Sequence, residues 1–234
     1  MIEEASLLLI PVPIADGALH TISHEVHNYT LSTKYYFVEN LRSARRFLKA
    51  LHPLLEIDSI HFSEIDKHNG ADINLLKRWL SAGLSVGVLS ESGCPGVADP
   101  GAELVEVAQH LGVKVIPLTG PNSLLLALMA SGLNGQSFCF HGYLPIKEPA
   151  RTQQIKATEI QSKRDKQTQL FIETPYRNQT LFSELTRSLQ ASTKLCIAQN
   201  ISAPNALIRT KTIAEWRKQG LELQKVPTVF LFLS

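Results

Sequence analysis

Cysteine is scarce: Cys94, Cys139 and Cys196 stand singly along 234 residues. An odd number at such separations implies neither a disulfide framework nor a paired-thiol zinc site, and it fits a reducing cytoplasm. Net charge is nearly absent too, with 23 Lys+Arg against 21 Asp+Glu giving a formal +2. That excludes the global basic field of a dedicated nucleic-acid module and leaves room only for local patches. No apolar run approaches the roughly 20 residues needed to cross a bilayer. The nearest, 124–130, reads as part of a buried helix, and the apolar segment 6–14 is broken by Pro11 and Pro13 and follows glutamates where a signal peptide carries positive charge. Two phosphate-binding fingerprints are also missing: no G-x-G-x-x-G follows the first strand and there is no G-x-x-x-x-G-K-[ST]. The expectation is a soluble protein without a nucleotide Rossmann or P-loop site.

What is present is alternation. Short apolar runs predict strands at 7–10, 35–38, 60–63, 86–89 and 113–118, with helices between them at 19–27, 42–51, 73–82 and 102–111. Such a pattern predicts a mainly parallel sheet covered on both faces. Beyond Gly120 the theme recurs, with helices at 123–131, 152–163, 178–189 and 213–219 and strands at 138–141, 169–173, 195–199, 207–212 and 228–233. The clustered late strands, with a short connection at Pro204 and Asn205, predict hairpins and so a mixed sheet. The length suits two α/β domains, 1–118 and 119–234.

The densest chemical signal is Ser90-Glu91-Ser92-Gly93-Cys94-Pro95-Gly96-Val97-Ala98-Asp99-Pro100-Gly101, which follows a predicted strand and precedes a predicted helix. In open α/β sheets ligands bind where loops leave the carboxyl ends of strands. The same residues also suit a plain turn, with Asp99 as helix N-cap and Pro100 at the first helical position. A second signal is Thr119-Gly120-Pro121-Asn122-Ser123, where Gly120 permits unusual backbone angles and Asn122 or Ser123 can cap a helix. A third is the stiffened turn Pro11-Val12-Pro13-Ile14.

These segments resemble, in order, motifs of the ribosomal RNA small subunit methyltransferase I family, a branch of the tetrapyrrole methylase superfamily. Residues 90–101 are similar to S-D-A-G-T-P-x-x-S-D-P-G, 11–14 to P-T-P-I, and 119–123 to P-G-P-S-A. Gly142-Tyr143-Leu144-Pro145 with Lys147 and Arg151 resembles G-F-L-P-x-K-x-x-x-R, and 171–177 resembles F-Y-E-S-P-H-R. The resemblance implies a two-domain homodimeric methyltransferase with S-adenosylmethionine in a cleft between its domains, acting on a ribose 2′-hydroxyl of small-subunit ribosomal RNA. Carried over by position, Pro11, Ser90, Glu91, Val97, Ala98, Ser123 and Thr174 would line the cofactor site, with Glu91 and Glu173 as candidate catalytic carboxylates. For Glu173 a simple ion pair with Arg177 is the competing role.

Departures from the family pattern keep other acceptors open. Its Asp in the first motif is Glu91 here, its Thr is Cys94, and its A-E-D-T-R survives only as Val38-Glu39-Asn40-Leu41-Arg42. Its R-E-L-T-K is replaced by Gln199-Asn200-Ile201-Ser202-Ala203, without the charges, and the small C-terminal extension of many relatives is not represented. A small-molecule acceptor such as a tetrapyrrole-like metabolite, or a cofactor-binding protein without catalysis, are the alternatives. For RNA, the candidate contacts are Arg42, Arg45 and Arg46, about a helical turn apart, and His68 beside Asn69; a solvated helix face and a plain loop residue are their bland counterparts. His20, His24 and His27 have helical spacing, but His24-Glu25-Val26-His27 is too short for H-E-x-x-H, and no metal is expected.

Overall fold

The computed structural model describes residues 4–66 and 68–234 and divides into two compact units, Met1–Asn122 and Ser123–Ser234. The boundary lies a few residues beyond the expected 118/119. In the first unit β1 (Ser6–Ile10), β2 (Tyr35–Val38), β3 (His61–Glu64), β4 (Val86–Leu89) and β5 (Lys114–Pro117) alternate with α1 (His24–Ser32), α2 (Leu41–Leu51), α3 (Ile73–Ser81) and α4 (Ala102–His110). The strands pair in parallel in the order β3-β2-β4-β1-β5.

Side-chain alternation along these strands sorts the core onto two faces. Leu8, Ile10, Tyr36 and Val38 pack with Val26 of α1 and with Ala44, Phe47 and Leu48 of α2. Leu7, Phe37, Val86 and Val88 pack instead with Leu76 and Leu80 of α3 and with Leu104 and Ala108 of α4. Both faces are dry, which is why these strands are apolar almost throughout.

The first helix departs from expectation. Instead of one helix over 19–27, a 3₁₀ turn at Leu19–Thr21 ends at Ile22, and α1 starts afresh with Ser23 as N-cap, its Oγ accepting from the Val26 amide at 3.4 Å. The hydroxyl satisfies an orphan amide and so defines a new start. The break leaves His20 in the 3₁₀ turn and places His24 and His27 on α1, ring centroids 6.0 Å apart, with His52 5.6 Å from His27. Among the described residues no three His, Cys, Asp or Glu side chains are grouped to hold a metal ion.

The second unit contains α5 (Ser123–Ser131), β6 (Phe138–Tyr143), α6 (Ala150–Asp165), β7 (Thr168–Glu173), α7 (Asn178–Ser188), β8 (Lys194–Gln199), β9 (Leu207–Thr212), α8 (Ile213–Gln219) and β10 (Thr228–Leu233). Its sheet runs β6-β7-β10-β8-β9, with β6 and β7 parallel and the other pairs antiparallel. Ile155, Phe171, Leu181, Leu185, Ile197, Trp216, Phe230 and Phe232 form the core between this sheet and its helices. Arg151 is no surface cation: it is buried, ion-paired with Glu184 at 2.6 Å and bonded to the carbonyls of Pro145 and Ile146. Among the described residues no helix is long and apolar enough to cross a membrane.

Candidate functional site

Three loops leave the carboxyl ends of adjacent strands β1, β4 and β5 and are tied to one another. Val12 and Gly93 exchange backbone hydrogen bonds at 2.9 and 3.2 Å, joining the turn after β1 to the loop after β4. The Cys94 thiol donates to the Pro121 carbonyl at 3.4 Å, joining that loop to the one after β5. Burial and the nearby Asp99 push this thiol's pKa up, so it stays protonated and serves as a donor.

Gly120 is needed for close approach. Its φ is not in the left-handed region, contrary to the expectation of unusual backbone angles; instead a Cβ there would lie 2.2 Å from Cβ and Cγ of Pro11. In the loop after β4 the backbone is itself unusual. Gly93, Gly96, Gly101 and the non-glycine Ala98 all take positive φ, 63° at Ala98. A Cβ makes that conformation costly, of order 1–2 kcal/mol, so the loop holds Ala98 there against its preference. Val97 and Ala98 are exposed at the bend, Ser90 is buried beneath it and Glu91 is exposed.

The helix after the loop is not capped by Asp99. Gly101 occupies the N-cap position of α4, at φ 125°, with no side-chain cap, and Asp99 turns elsewhere. The half-buried Asp99 carboxyl has its pKa raised to about 6 by burial first and by the charges of Glu39 and Glu91 next, with a hydrogen bond from Ser90 opposing the shift. Glu39, from the end of β2, accepts the Glu91 amide at 2.9 Å, so the loops after β2 and β4 share this acidic corner. A carboxyl that titrates near neutrality beside a ligand-type loop has the properties of a proton acceptor. Sequence reasoning missed Asp99 because D-P-G also reads as a helix start; the available signal was the second carboxylate of the segment, after Glu91.

The remaining candidates divide by place. Arg42, Arg45 and Arg46 lie on α2, which starts directly beyond β2. Arg42 and Arg46 are exposed, whereas Arg45 pairs with Asp58 at 2.6 Å. His68 is exposed in a tight turn whose amides are held by Asp66. Ser123, Glu173 and Thr174 belong to the second unit: Ser123 opens α5, and Glu173 ends β7. The Glu173 carboxylate is buried and takes hydrogen bonds from the Thr174 amide at 2.6 Å and from Arg177 at 2.8 and 3.0 Å. Those bonds give Glu173 the ion-pair role.

No family model matches the chain. Among characterised proteins it is similar to ribosomal RNA small subunit methyltransferase I of Vibrio cholerae, 29% identical over 89% of this chain and 69% of that protein. The Buchnera aphidicola enzyme of the same name is 27% identical over 97% of this chain and 78% of the relative. This chain is a divergent relative of the ribosomal RNA small subunit methyltransferase I proteins. Its fold is that of the tetrapyrrole methylases. Diphthine synthase superposes with a TM-score of 0.68 at 15% identity, over 98% of this chain and 90% of the other. Uroporphyrin-III C-methyl transferase from Thermus thermophilus, complexed with S-adenyl homocysteine, gives 0.53 at 17% over 98% and 97%.

Within this methyltransferase relationship, the segment that departs most from the pattern has a structural explanation. Asn200 and Ser202 take left-handed backbone angles, φ 52° and 73°, in the turn between β8 and β9. Buried Gln199 donates to the Gln224 carbonyl at 2.9 Å. Neutral amides thus anchor a turn where the family motif carries Arg, Glu and Lys.

Proposed function

We propose that this protein is an S-adenosylmethionine-dependent methyltransferase acting on ribosomal RNA, at a ribose 2′-hydroxyl by resemblance, as a cytoplasmic homodimer. The observation that carries the reading is the bound-together set of loops after β1, β4 and β5, with Asp99 beside them. The residues suit the cofactor: glycines and Ala98 at positive φ turn backbone polar groups toward a ligand, and Val97 offers an exposed apolar contact. S-adenosylmethionine supplies an electrophilic methyl group on a sulfonium when bound. The chain's own task is to align the acceptor with it, exclude water and receive the hydroxyl proton. Asp99 is the group proposed to take that proton, with Glu91 and Glu39 keeping its carboxyl basic; Pro11 and Ser90 shape the loop floor, and Ser123 and Thr174 are the second unit's proposed cofactor contacts.

Titration calorimetry should give micromolar affinity, about −8 kcal/mol, for S-adenosylmethionine or its demethylated product. Labelled cofactor should transfer methyl to small ribosomal subunits or their RNA. No heat with either compound would remove the cofactor assignment; transfer only to a metabolite extract would replace RNA by the small-molecule alternative, which the neutral 199–203 turn favours.

On α2 the exposed pair Arg42 and Arg46 is proposed to meet phosphates, with the exposed His68 of the loop after β3 as a further proposed contact. Arg42→Glu and Arg46→Glu should each weaken RNA binding and flatten its salt dependence. The slope of log K against log salt should fall by about 0.7 for each single-strand phosphate that is no longer neutralised. Arg45→Glu should do less, because Arg45 already faces Asp58. Equal effects at all three positions would point to a diffuse field and not to a docked face.

A further inference from the structure

Tyr176 is 80% exposed, yet the turn that carries it is held on every side. Pro175–Arg177 form a 3₁₀ turn directly after β7, closed by the Arg177 amide on the Thr174 carbonyl at 2.9 Å and clamped by the Glu173–Arg177 pair. The ammonium of Lys225 lies 5.6 Å from the centre of the Tyr176 ring. Lys225 comes from the irregular segment between α8 and β10, a stretch without helix or strand that is nevertheless pinned at Leu221, Leu223, Gln224 and Val226. Gln179 bonds the Leu221 carbonyl at 3.1 Å and the Leu223 amide at 2.8 Å. Gln199 holds the Gln224 carbonyl, and Asn178 holds the Val226 carbonyl at 2.8 Å. Asn178 also donates to Thr228, which sits between Glu173 and Gln199 in the sheet register.

An exposed aromatic ring with a cation over it is therefore displayed from two segments locked to each other. The lock is expensive in buried polar groups: Asn178, Gln199, Thr228 and Glu173 are all at least nine-tenths buried at this end of the sheet. None of it is needed to bury the ring, which remains in solvent. The Glu173 charge is matched by Arg177, so Lys225 acts outward against only Glu222 as an exposed carboxylate of its own loop.

We propose that Tyr176 and Lys225 form a preorganised contact for one unpaired base of the RNA acceptor, the base stacking on the phenol face opposite the ammonium and the adjoining phosphate pairing with the ammonium. The inference rests on the RNA reading above and adds a docking point in the second unit, separate from Arg42 and Arg46. Stacking suits it because every base offers a π face, and a ring fixed in advance loses little freedom when the base arrives.

The test uses the full chain and a fluorescein-labelled, mixed-sequence single-stranded ribonucleotide oligomer followed by anisotropy. Tyr176→Ala should bind about tenfold more weakly, Tyr176→Phe should stay within about twofold because the ring is kept, and Lys225→Gln should flatten the salt slope by about 0.7. Cofactor calorimetry on the same variants should match the parent. Parent-like RNA binding by Tyr176→Ala, or equal weakening in Tyr176→Phe, overturns the proposal while the methyltransferase reading stands. A parent that takes cofactor but not the oligomer removes both this contact and the RNA acceptor. A change in oligomeric state on ultracentrifugation of Tyr176→Ala, with RNA binding intact, assigns the ring to a protein contact and also overturns it.

Discussion

Gly120→Ala is expected to be the most damaging single-methyl change in the first unit. The added carbon would stand 2.2 Å from two ring atoms of Pro11, which is buried at the end of β1 and cannot swing aside like a flexible side chain. Overpacking of this kind costs about 3 kcal/mol or more where neither partner can yield, a large share of the roughly 5–15 kcal/mol that holds a typical protein folded. Urea unfolding should show a lower midpoint, and the displaced loops should bind cofactor more weakly. Gly112→Ala is the comparison: nothing lies within 4 Å of its Cβ, so only the left-handed backbone at φ 68° is penalised, about 1–2 kcal/mol. If both alanine variants unfold alike, the Pro11–Gly120 contact is not what joins the loops.

Asp99→Asn should cut methyl transfer by at least about 100-fold, the usual worth of a positioned general base, and should make the protein more stable. Both effects come from the same raised pKa, with opposite signs. A base works ionised, so activity in the parent should rise as pH rises through about 6, the value to which burial and the Glu39 and Glu91 charges push this carboxyl. For stability, the folded state holds the Asp99 proton more tightly than the unfolded chain does. Stability from this group is full below the unfolded value near 4 and declines as pH rises toward 6. The amide removes that penalty. Thermal unfolding at pH 7 should therefore show a gain of about 1 kcal/mol, since the half-exposed site is partly screened by water, and the gain should vanish near pH 4. A rate profile whose limb near pH 6 survives in Asp99→Asn would assign the base elsewhere, with Glu91 the next carboxylate to replace.

Much of the architecture is legible in periodicity. The strands at 35–38, 86–89, 207–212 and 228–233 and the helices at 123–131 and 213–219 coincide with those observed, because alternating burial leaves a strong pattern. The first helix is the exception, because Leu19, Ile22 and Val26 keep a helical spacing across a break; the Ser23 cap competes with that pattern and wins locally.

By itself the sequence determined the layer order, the pairing of a parallel with a mixed sheet, and the ordered loop segments that carry the family resemblance. All of these depend on residue type and on spacing over a few positions. Tertiary structure alone decided the electrostatics and the contacts. Gly120 is a glycine because of Pro11, far away in the chain; Arg45 and Arg151 are occupied by Asp58 and Glu184 whereas Arg42 is exposed; and the Asp99 carboxyl is pushed up to about 6 by burial first and then by Glu39, which arrives from another strand. Burial and charge act through space, and residues tens of positions apart become neighbours only when the sheet is assembled.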